Sequence, residues 1–557
     1  MMLAAMMALA AAGSQTGDRL IDRNRIDRPR APAPKVKADA PAEKAKVAAN
    51  GTGRPIRGVR FVGAEAPRPV ARAAETFLGR PMNTQVLAEL AGTLSRAYGK
   101  SDVALYTIAI PEQDFAGDVV KVLLTEGRIA RVELKAQRGK HQLLAARAGP
   151  LTEETPLSRG TFERQITLIR AIPGLTVGTD FADPEANGAL TLTLTPKQRR
   201  RKVTAGFSNR GVELTGDGQF DVNAAFYGVG FDGDELTLSA SAAADLKRYR
   251  YAAASYQMPL GASGLTFAGN AAYLETRPRR NPVRGKAKLA GATLTYPLVR
   301  SFKRAADIMI GFDGINSDNA VLGNLIATER TRALRVAAGI TDSREKRSWS
   351  VSAAASHGLD VLGARTVEPL ASKRFAKVSG AASLAQAVGS KLTVRVNLTV
   401  RVNLLGQFSN DRLPAAERFS VGGETLGRGF DTAFLTADRG AGALGEVAVR
   451  PLKGGSFAAS ELYAFADRAW IGVSARGADP GVDLSMASAG IGTRFKFKEK
   501  AAWPGGSETD RGSVSGLCGG LARFGDVEVV ALKSSPGRGG SLYCFLNTAR
   551  LFACAKA

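Results

Sequence analysis

The sequence has little cysteine and histidine, and this scarcity argues against metal or redox chemistry. All three cysteines, Cys518, Cys544 and Cys554, lie in the last forty residues, and their spacing fits no metal or redox motif. The two histidines, His141 and His357, lie in unrelated segments, and the sequence contains no Walker phosphate loop. We therefore expect no metal site, no cofactor and no enzymatic activity.

Long apolar runs are also missing. After the first dozen residues, no apolar run approaches the ~18 residues that a transmembrane helix needs. Any membrane span must therefore consist of strands, since a β-barrel satisfies every backbone donor and acceptor between neighbouring strands. The first 517 residues contain no cysteine. This absence suits an exported bacterial protein, because such proteins avoid uncontrolled disulfides.

The excess of positive charge does not indicate a nucleic-acid partner. The 76 lysines and arginines against 51 acidic residues give a net charge of +25. Concentrated basic stripes bind nucleic acid by releasing counterions from phosphates, but here the basic residues are scattered through nearly every segment. Their pattern favours a basic interior and rim that face anionic lipid headgroups, or simply a solvated charged surface.

The first 54 residues indicate an export signal and a linker. Residues 1–16 combine an apolar core with small residues where a signal peptidase can cut, but they lack a basic leading segment. We interpret them as a truncated signal peptide, with a short buried helix as the alternative. Residues 17–54 alternate charges with alanine and proline, which is typical of a linker. Within them, Asp18 to Arg28 is a candidate for one short charged helix.

Two small α/β modules follow. Residues 55–134 show the pattern strand, helix, helix and two strands, and the second helix carries leucines at three-to-four-residue spacing. Residues 135–199 show a helix followed by two strands. From Leu190 to Leu194, leucine alternates with threonine, which is typical of a half-buried strand.

The region 200–500 is a series of alternating segments separated by Gly, Asp, Asn and Ser. About eleven segments lie between Lys202 and Gln407, and three more end at Lys498. Period-two alternation with small or polar residues on the second face is typical of a barrel wall that has lipid outside and water inside. A soluble sandwich alternates too, but the number of segments favours the barrel.

A glycine-rich loop, residues 418–440, separates the two groups of segments. Its centre is Gly427, Arg428, Gly429 and Phe430. Because glycine permits tight turns and close backbone packing, Arg428 can be held at the tip of a loop that folds inward. The segment resembles the barrel-penetrating loop of the two-partner secretion transporters, outer-membrane proteins that export haemolysins and filamentous adhesins. In that family an Arg-Gly-Phe or Arg-Gly-Tyr core is the hallmark.

A second signature lies in the first α/β module and resembles the first periplasmic POTRA module of the same family. Taken alone, its second half is also compatible with a simple hairpin turn at Gly127. The residues of this signature are Pro111, Glu112, Gln113, Glu126, Gly127, Arg128 and Ile129. Two family signatures in the expected order arise by accident much less readily than either one alone.

The resemblance implies a mainly β fold. It predicts a 16-stranded transmembrane antiparallel β-barrel, preceded by two small α/β POTRA domains at 55–134 and 135–199. The signature loop of the family joins the eleventh and twelfth strands, which is where the count of segments places Arg428. The family also carries an amino-terminal helix that plugs the pore, and the helix candidate within 17–54 is the matching segment.

The family pairs the loop arginine with an acidic residue on the inner wall of the thirteenth strand. The matching residue is Asp467, which shares a strand face with Tyr463 and Phe465 because side chains two apart point the same way. We therefore expect Arg428 to meet Asp467, since a guanidinium fork can grip a carboxylate in two places. Further candidates for supporting the loop are Glu424, Asp431, Asp438 and Arg439.

The C-terminal segment 501–557 departs from the family pattern. It is rich in glycine and serine and holds every cysteine, whereas family barrels close with an alternating strand and a terminal aromatic residue. An altered reading frame near Ala501 is the preferred explanation, and an appended tail is the alternative. The last two barrel strands are expected beyond Lys498, so either explanation bears on closure.

Taken together, these features predict an outer-membrane translocator of a Gram-negative bacterium, with its POTRA domains in the periplasm. The expected partners are a secreted haemolysin or adhesin, outer-membrane lipid and the barrel-assembly machinery. Two alternatives are an outer-membrane protein assembly factor of the same superfamily and a passive porin with a periplasmic extension. The first is disfavoured because only two POTRA modules are present.

Overall fold

The computed structural model of the chain describes residues 25–27, 46–135, 141–182, 188–208, 215–216, 218–279, 283–321, 324–367, 370–389, 397–423, 425–430, 433–452, 460–494, 542–547 and 550–556. The predicted signal peptide 1–16, most of the linker 17–54, Glu424 and Asp431 lie outside these residues, as does most of the segment 501–557.

The first α/β module has a four-stranded sheet in the order β1-β3-β4-β2. Its elements are β1 (Lys46–Val47), β2 (Gly58–Gly63), α1 (Arg68–Glu75), α2 (Thr84–Tyr98), β3 (Tyr106–Ile110) and β4 (Val119–Glu126). Helix α2 begins at Asn83, whose side chain accepts a hydrogen bond from the Val86 amide, a cap that satisfies one of the free amides of the first turn. Leu87, Leu90 and Leu94 of α2 are fully buried in the module core.

The second module has the strand order β5-β7-β6. Its elements are β5 (Arg128–Leu134), α3 (Gln142–Ala148), α4 (Arg159–Arg170), β6 (Leu175–Phe181) and β7 (Ala189–Gln198). Strand β5 pairs with β7, so the boundary between the modules lies at Gly127, and the predicted boundary between residues 134 and 135 is wrong. Residues 46–47 likewise pair with β3 and extend the first module into the predicted linker. Both errors arise because strand partners are non-local.

The rest of the described chain forms one large antiparallel sheet, with eleven strands before the glycine-rich loop. These are β8 (Arg201–Ser208), β9 (Gln219–Tyr227), β10 (Glu235–Ala243), β11 (Tyr249–Pro259), β12 (Thr266–Thr276), β13 (Val283–Arg300), β14 (Arg304–Val321), β15 (Asn324–Ser343), β16 (Arg347–Gly358), β17 (Ala376–Gly389) and β18 (Asn397–Phe408). Each pairs with the next in sequence, so the sheet is a meander.

The loop forms a small hairpin of its own and leads back into the sheet. The remaining strands are β19 (Phe419–Val421) and β20 (Leu435–Ala437) in the loop, then β21 (Arg439–Arg450), β22 (Glu461–Val473), β23 (Val482–Arg494), β24 (Leu542–Asn547) and β25 (Arg550–Lys556). Strand β21 pairs with β18, so the loop projects from the sheet without interrupting it. The repeat of Thr393–Leu398 at Thr399–Leu404 falls at the start of β18, and most of its first copy lies outside the described residues.

The mainly β fold class is thus confirmed. Among the strands that the structure describes, sixteen belong to the large sheet, with β24 and β8 at opposite ends of the strand order. Within the part of the chain that the structure describes, no pairing joins these two strands, so closure into a barrel stays a prediction. Of the helices described here, none has the length and hydropathy to cross a membrane.

The strands alternate between two faces, and the loop packs against one of them. On β22, the odd-numbered residues from Glu461 to Ile471 are buried, whereas even-numbered ones such as Leu462 and Trp470 are about half exposed. We call the face covered by the loop the inner face. Its core includes Tyr249, Leu274 and Leu289 from β11, β12 and β13.

The second module contacts one end of the sheet. Arg164 of α4 donates a hydrogen bond to the backbone oxygen of Pro297 over 3.2 Å. Phe162 packs edge-on against Phe302, with 6.1 Å between the ring centroids. Phe302 lies in the turn between β13 and β14, so this turn and the other turns on the same side mark what we call the module end of the sheet.

Candidate functional site

Backbone geometry that only glycine adopts readily shapes the inward loop. Gly422, Gly423 and Gly427 have φ angles of +112°, +96° and +75°, a region in which other residues are strained. The amide of Gly422 donates to the Leu426 carbonyl over 2.9 Å, and that of Gly423 donates to the Gly427 carbonyl over 3.2 Å. A Cβ added at Gly427 would lie 3.0 Å from the Gly422 nitrogen. These bonds fold the tip back on itself and fix the direction of Arg428.

Phe430 anchors the loop on the inner face. It is buried in a cluster with other loop residues and with Ala469, Ile471 and Met486 of β22 and β23. Its ring also packs against Phe434, at a centroid distance of 5.2 Å. Burying a phenylalanine side chain stabilises a fold by roughly 1.5–3 kcal/mol, so Phe430 holds the loop to the wall independently of any charge.

The structure brings Arg428 and Asp467 together through the backbone. The amide nitrogen of Arg428 donates to Asp467 Oδ2 over 3.1 Å. The guanidinium reaches a different carboxylate, because Arg428 Nη1 lies 2.7 Å from Glu446 Oε2. It also lies 5.1 Å from the centre of the Phe465 ring, which is within the range of a cation–π contact. Glu446 of β21 was not among the residues expected from the sequence.

Asp467 acts as an acceptor that grips the loop backbone. Ser488 on β23 donates from Oγ to Asp467 Oδ2 over 2.9 Å, and the same hydroxyl accepts from the Gly429 amide over 3.1 Å. Asp467 and Ser488 are directly opposite each other in the register of β22 and β23. The loop tip is therefore held at two successive amides by residues of the sheet.

The two described members of the set of supporting residues have different roles. Asp438 is fully buried and accepts hydrogen bonds from the amides of Leu413 and Ser474, each over 2.8 Å. It also pairs with Arg476, so it ties the end of the loop to the segment that precedes the loop and to the turn after β22. Arg439 instead makes an exposed ion pair with Asp483, 3.2 Å apart, at the far end of the sheet. Glu424 and Asp431 lie outside the described residues.

The two halves of the first module's signature lie at opposite ends of the β3–β4 pair, and only the second half reaches the joint between the modules. The side chain of Gln113 bridges to Lys121, accepting from its amide over 2.7 Å and donating to its carbonyl over 3.0 Å. Pro111 is half-buried and Glu112 exposed at the end of β3. Glu126 accepts a 2.6 Å hydrogen bond from the Tyr98 hydroxyl. Burial, together with this bond and the Glu126 charge, raises the pKa of Tyr98.

Gly127 marks the point where the chain passes between the modules. A Cβ at this position would lie 2.8 Å from the Leu105 side chain, so only glycine fits without displacement. Immediately after it, the Arg128 amide donates to the Gly188 carbonyl over 3.1 Å, and Ile129 is buried in the second core.

Glu446 belongs to a larger ionic network at the module end of the inner face. We call it the arginine cluster, and its members are Arg401, Arg428, Arg450, Arg494, Glu446 and Glu461. Glu446 contacts three of the arginines at 2.6–2.7 Å. Glu461 contacts Arg401, Arg450 and Arg494 at 2.9–3.4 Å. The Arg494 guanidinium stacks over Tyr463 at 3.9 Å from the ring centre.

A second network lies on the inner face and includes the N-terminal segment. We call it the buried ion cluster, and its members are Arg25, Asp27, Asp313, Arg335, Lys377 and Glu417. Arg25 donates to both carboxylate oxygens of Glu417 over 3.0 Å, and Asp27 lies 3.0 Å from Lys377. Arg335 contacts Glu417 at 2.7 Å and Asp313 at 2.5 Å. Five of these side chains are 2% exposed or less.

Three residues of the predicted linker, Arg25, Ile26 and Asp27, are thus buried against the inner face of the sheet. Ile26, between Arg25 and Asp27, is buried against Met309, Ala337 and Ala354 of β14, β15 and β16. Within the helix candidate Asp18–Arg28, only residues 25–27 are described, and they form a turn.

Sequence patterns held a partial signal for both networks. Glu446, Arg335 and Lys377 are charged residues on the buried face of alternating strands, and such positions indicate either a water-filled interior or a paired charge. Nothing in the sequence indicates which partner each one takes. Arg25 and Glu417, for example, are separated by 392 positions.

Comparison with known proteins identifies the family. Residues 188–495 match the family "Haemolysin secretion/activation protein ShlB/FhaC/HecB". The chain is 22% identical over 388 residues to the outer membrane transporter CdiB of Dickeya dadantii (strain 3937). This match spans 66% of each chain, just under two thirds of that relative's length.

Two solved structures share the fold. CdiB from Escherichia coli superposes with a TM-score of 0.58 at 18% identity, over 87% of this chain and 92% of that one. CdiB from Acinetobacter baumannii gives a TM-score of 0.50 at 16% identity, over 85% and 92%. The family match covers more than half of the present sequence and includes the arginine loop. The chain belongs to the haemolysin secretion/activation protein family, the outer-membrane transporters of two-partner secretion.

Proposed function

We propose that the chain secretes one large unfolded partner protein, of the haemolysin or adhesin type, across the outer membrane of a Gram-negative bacterium. The observation that carries this proposal is the inward loop, in which Asp467 and Glu446 hold Arg428 and Ser488 holds the Gly429 amide on the inner face. A loop held by its backbone and by a guanidinium inside the sheet serves a channel that must open for a polypeptide. The family is known for that task, and activation of the partner during passage is part of the same proposal.

The channel is a closed barrel in this proposal. Sixteen strands are an even number, as in other bacterial single-chain outer-membrane barrels. Closure removes the two unpaired strand edges, which hydrocarbon does not tolerate. The half-exposed apolar side chains of the outer face, such as Val351, Leu404 and Trp470, then face lipid, and the barrel-assembly machinery inserts the protein.

The two α/β modules act as POTRA domains that capture the partner. Each has sheet edges to which an extended segment can add as a further strand, giving main-chain hydrogen bonds without demanding one sequence. In the second module, β5 and β6 are the edge strands. Through Arg164 and Phe162 this module contacts the turns at the module end, so a captured segment is presented at the mouth of the channel.

In the resting state, the N-terminal segment closes the channel. Arg25, Ile26 and Asp27 are buried on the inner face by ion pairs and by apolar contacts. Arg25 and Asp27 also pair with each other at 2.7 Å, so this part of the segment carries no net charge when it withdraws. The lumenal residues Arg335 and Lys377 keep Glu417 and Asp313 as partners. Opening therefore leaves no unpaired charge on either side. No nucleotide is needed.

Deletion of residues 55–196 tests the proposal. With the chain produced alongside the large secreted protein encoded next to its gene, we expect the deletion to abolish export of that protein and to leave other outer-membrane barrels at normal abundance. Loss of many barrel proteins would instead indicate an assembly factor. Unchanged export, with solute flux through the membrane intact, would indicate a porin and overturn the proposal.

A further inference from the structure

The arginine cluster has more positive than negative charge. Its four guanidinium groups face two carboxylates, and both carboxylates are almost fully buried, with side-chain exposures of 1% for Glu446 and 2% for Glu461. Each carboxylate contacts three arginines. Glu446 accepts four hydrogen bonds from these arginines and Glu461 accepts five. A carboxylate has about four lone-pair sites, so both acids are shared to their limit. Together, the six residues carry a net charge of +2.

The arginines, unlike the acids, remain accessible from the interior. The exposed side-chain fractions are 28% for Arg401, 28% for Arg494 and 43% for Arg450. Each guanidinium has five N–H donors in a planar fork that matches a carboxylate. The buried carboxylates orient the guanidinium groups, and the accessible N–H donors of these groups face the interior.

The cluster occupies the place where a polypeptide would arrive. Arg450 is the last residue of β21, Glu461 the first of β22 and Arg494 the last of β23. Because strands alternate in direction along the meander, these ends lie on the same side as the turn that contacts the second module. Tyr463 and Phe465 lie beside the arginines on the inner face and offer apolar surface between the charges.

We propose that the arginine cluster binds acidic side chains of the unfolded partner as it enters from the periplasm. The proposal rests on the proposed function for its biological setting, but the binding itself does not depend on secretion. The contacts are charge-assisted and partly exposed, so they are weak enough for the chain to move on, and salt screens them. Accessible arginines at the periplasmic mouth thus select for extended segments rich in Asp and Glu.

The test is direct binding of a fluorescently labelled ten-residue peptide of Asp, Glu and Ser to the full chain in detergent, followed by fluorescence anisotropy. A peptide of the same composition with Lys in place of the acids is the ligand control. The variant is R401Q/R450Q, which leaves Arg428 and Arg494 on Glu446. The protein control is R277Q, at the far end of the sheet, where Arg277 pairs with Glu275 and is half exposed.

We expect wild type and R277Q to bind the acidic peptide but not the basic one. We expect R401Q/R450Q to bind it about tenfold more weakly, since each exposed charge contributes on the order of a few-fold in affinity, and added salt should erase the difference. Equal binding by R401Q/R450Q and wild type, or no binding by wild type, would overturn the proposal. Heat-modified mobility in gels confirms that each variant is folded. If the peptide binds as expected but the chain exports nothing, only the proposed function fails.

Discussion

From the buried ion cluster we predict that replacing one charged residue of the N-terminal segment by an uncharged one opens the channel. In wild type, three cations and three anions share the cluster. Replacing Asp27 by Asn leaves Arg25, Arg335 and Lys377 with only Glu417 and Asp313 while the segment is docked. If the segment withdraws, it removes Arg25, and the charges that stay behind are balanced again. The penalty therefore falls on the docked state alone.

The size of the effect follows from burial. Asp27 and Lys377 are each 2% exposed and Arg335 is fully buried. Removing one partner of a fully buried pair costs ~3–5 kcal/mol, and every ~1.4 kcal/mol is a factor of ten in an equilibrium constant. D27N should therefore shift docking toward release by on the order of 10²- to several 10³-fold. The double variant R25Q/D27N restores the charge balance in the docked state, so it should release the segment less often than D27N does.

Single-channel recording in planar bilayers measures this shift as the fraction of time that the purified full chain conducts. We expect the order D27N, then R25Q/D27N, then wild type, from most to least open. R54A is a control, because Arg54 is an exposed residue of the first module that pairs with Asp118. If D27N and wild type conduct for the same fraction of time, or if R25Q/D27N conducts for a larger fraction than D27N, the role assigned to charge balance is wrong.

Three further predictions concern the loop and the first module. Measured as secreted partner per cell, E446Q should lower secretion about tenfold or more, since a hydrogen bond to a charged group contributes ~1.5–3 kcal/mol, whereas D467N should have a smaller effect because its amide oxygen still accepts from the Arg428 backbone. The reverse order would favour a side-chain pair between Arg428 and Asp467. G427A should combine ~1–2 kcal/mol of left-handed backbone strain with a clash between its Cβ and the Gly422 nitrogen, and should therefore expose the loop to protease. G363A has a φ of +70° but open space around it, so it should carry the backbone strain alone, and equal protease sensitivity of the two variants would contradict the role of packing. The raised pKa of Tyr98 implies a contribution to stability that is present below the ordinary tyrosine pKa of ~10 and is lost as the pH rises above that value. Hydrogen exchange of helix α2 should therefore accelerate at high pH more in wild type than in Y98F, and equal acceleration in the two proteins would contradict this contribution.

The alternation of side chains made the mainly β fold predictable. The pattern from Lys202 to Gln407 suggested about eleven segments, and the described residues between Arg201 and Phe408 form eleven strands. The module boundary at Gly127 was missed, because the partner of β5 is β7, about sixty residues later in the sequence. Local patterns predict that a strand exists, but they do not identify its neighbour.

The candidate site could likewise be predicted only in part, because local patterns indicate the loop but not the partners of its residues. The positions of Arg428, Gly427 and Phe430 in an inward loop could be anticipated from the glycines and from the family signature. The choice of Glu446 as partner of the guanidinium depends on register, because Glu446 lies opposite Phe465 and only diagonally from Asp467. The position of Arg25 in the sheet depends on folding over hundreds of residues. Neither detail has a local cause in the sequence.

The most direct measurement of the central claim is a comparison of the proteins found outside the cell when the intact chain is present and when it is absent. In the absence of the chain, we expect one large polypeptide to disappear from the medium and to accumulate or be degraded in the periplasm, while the other external proteins are unchanged. An unaltered set of external proteins would contradict the proposed secretion function, and so would a general loss of outer-membrane barrels.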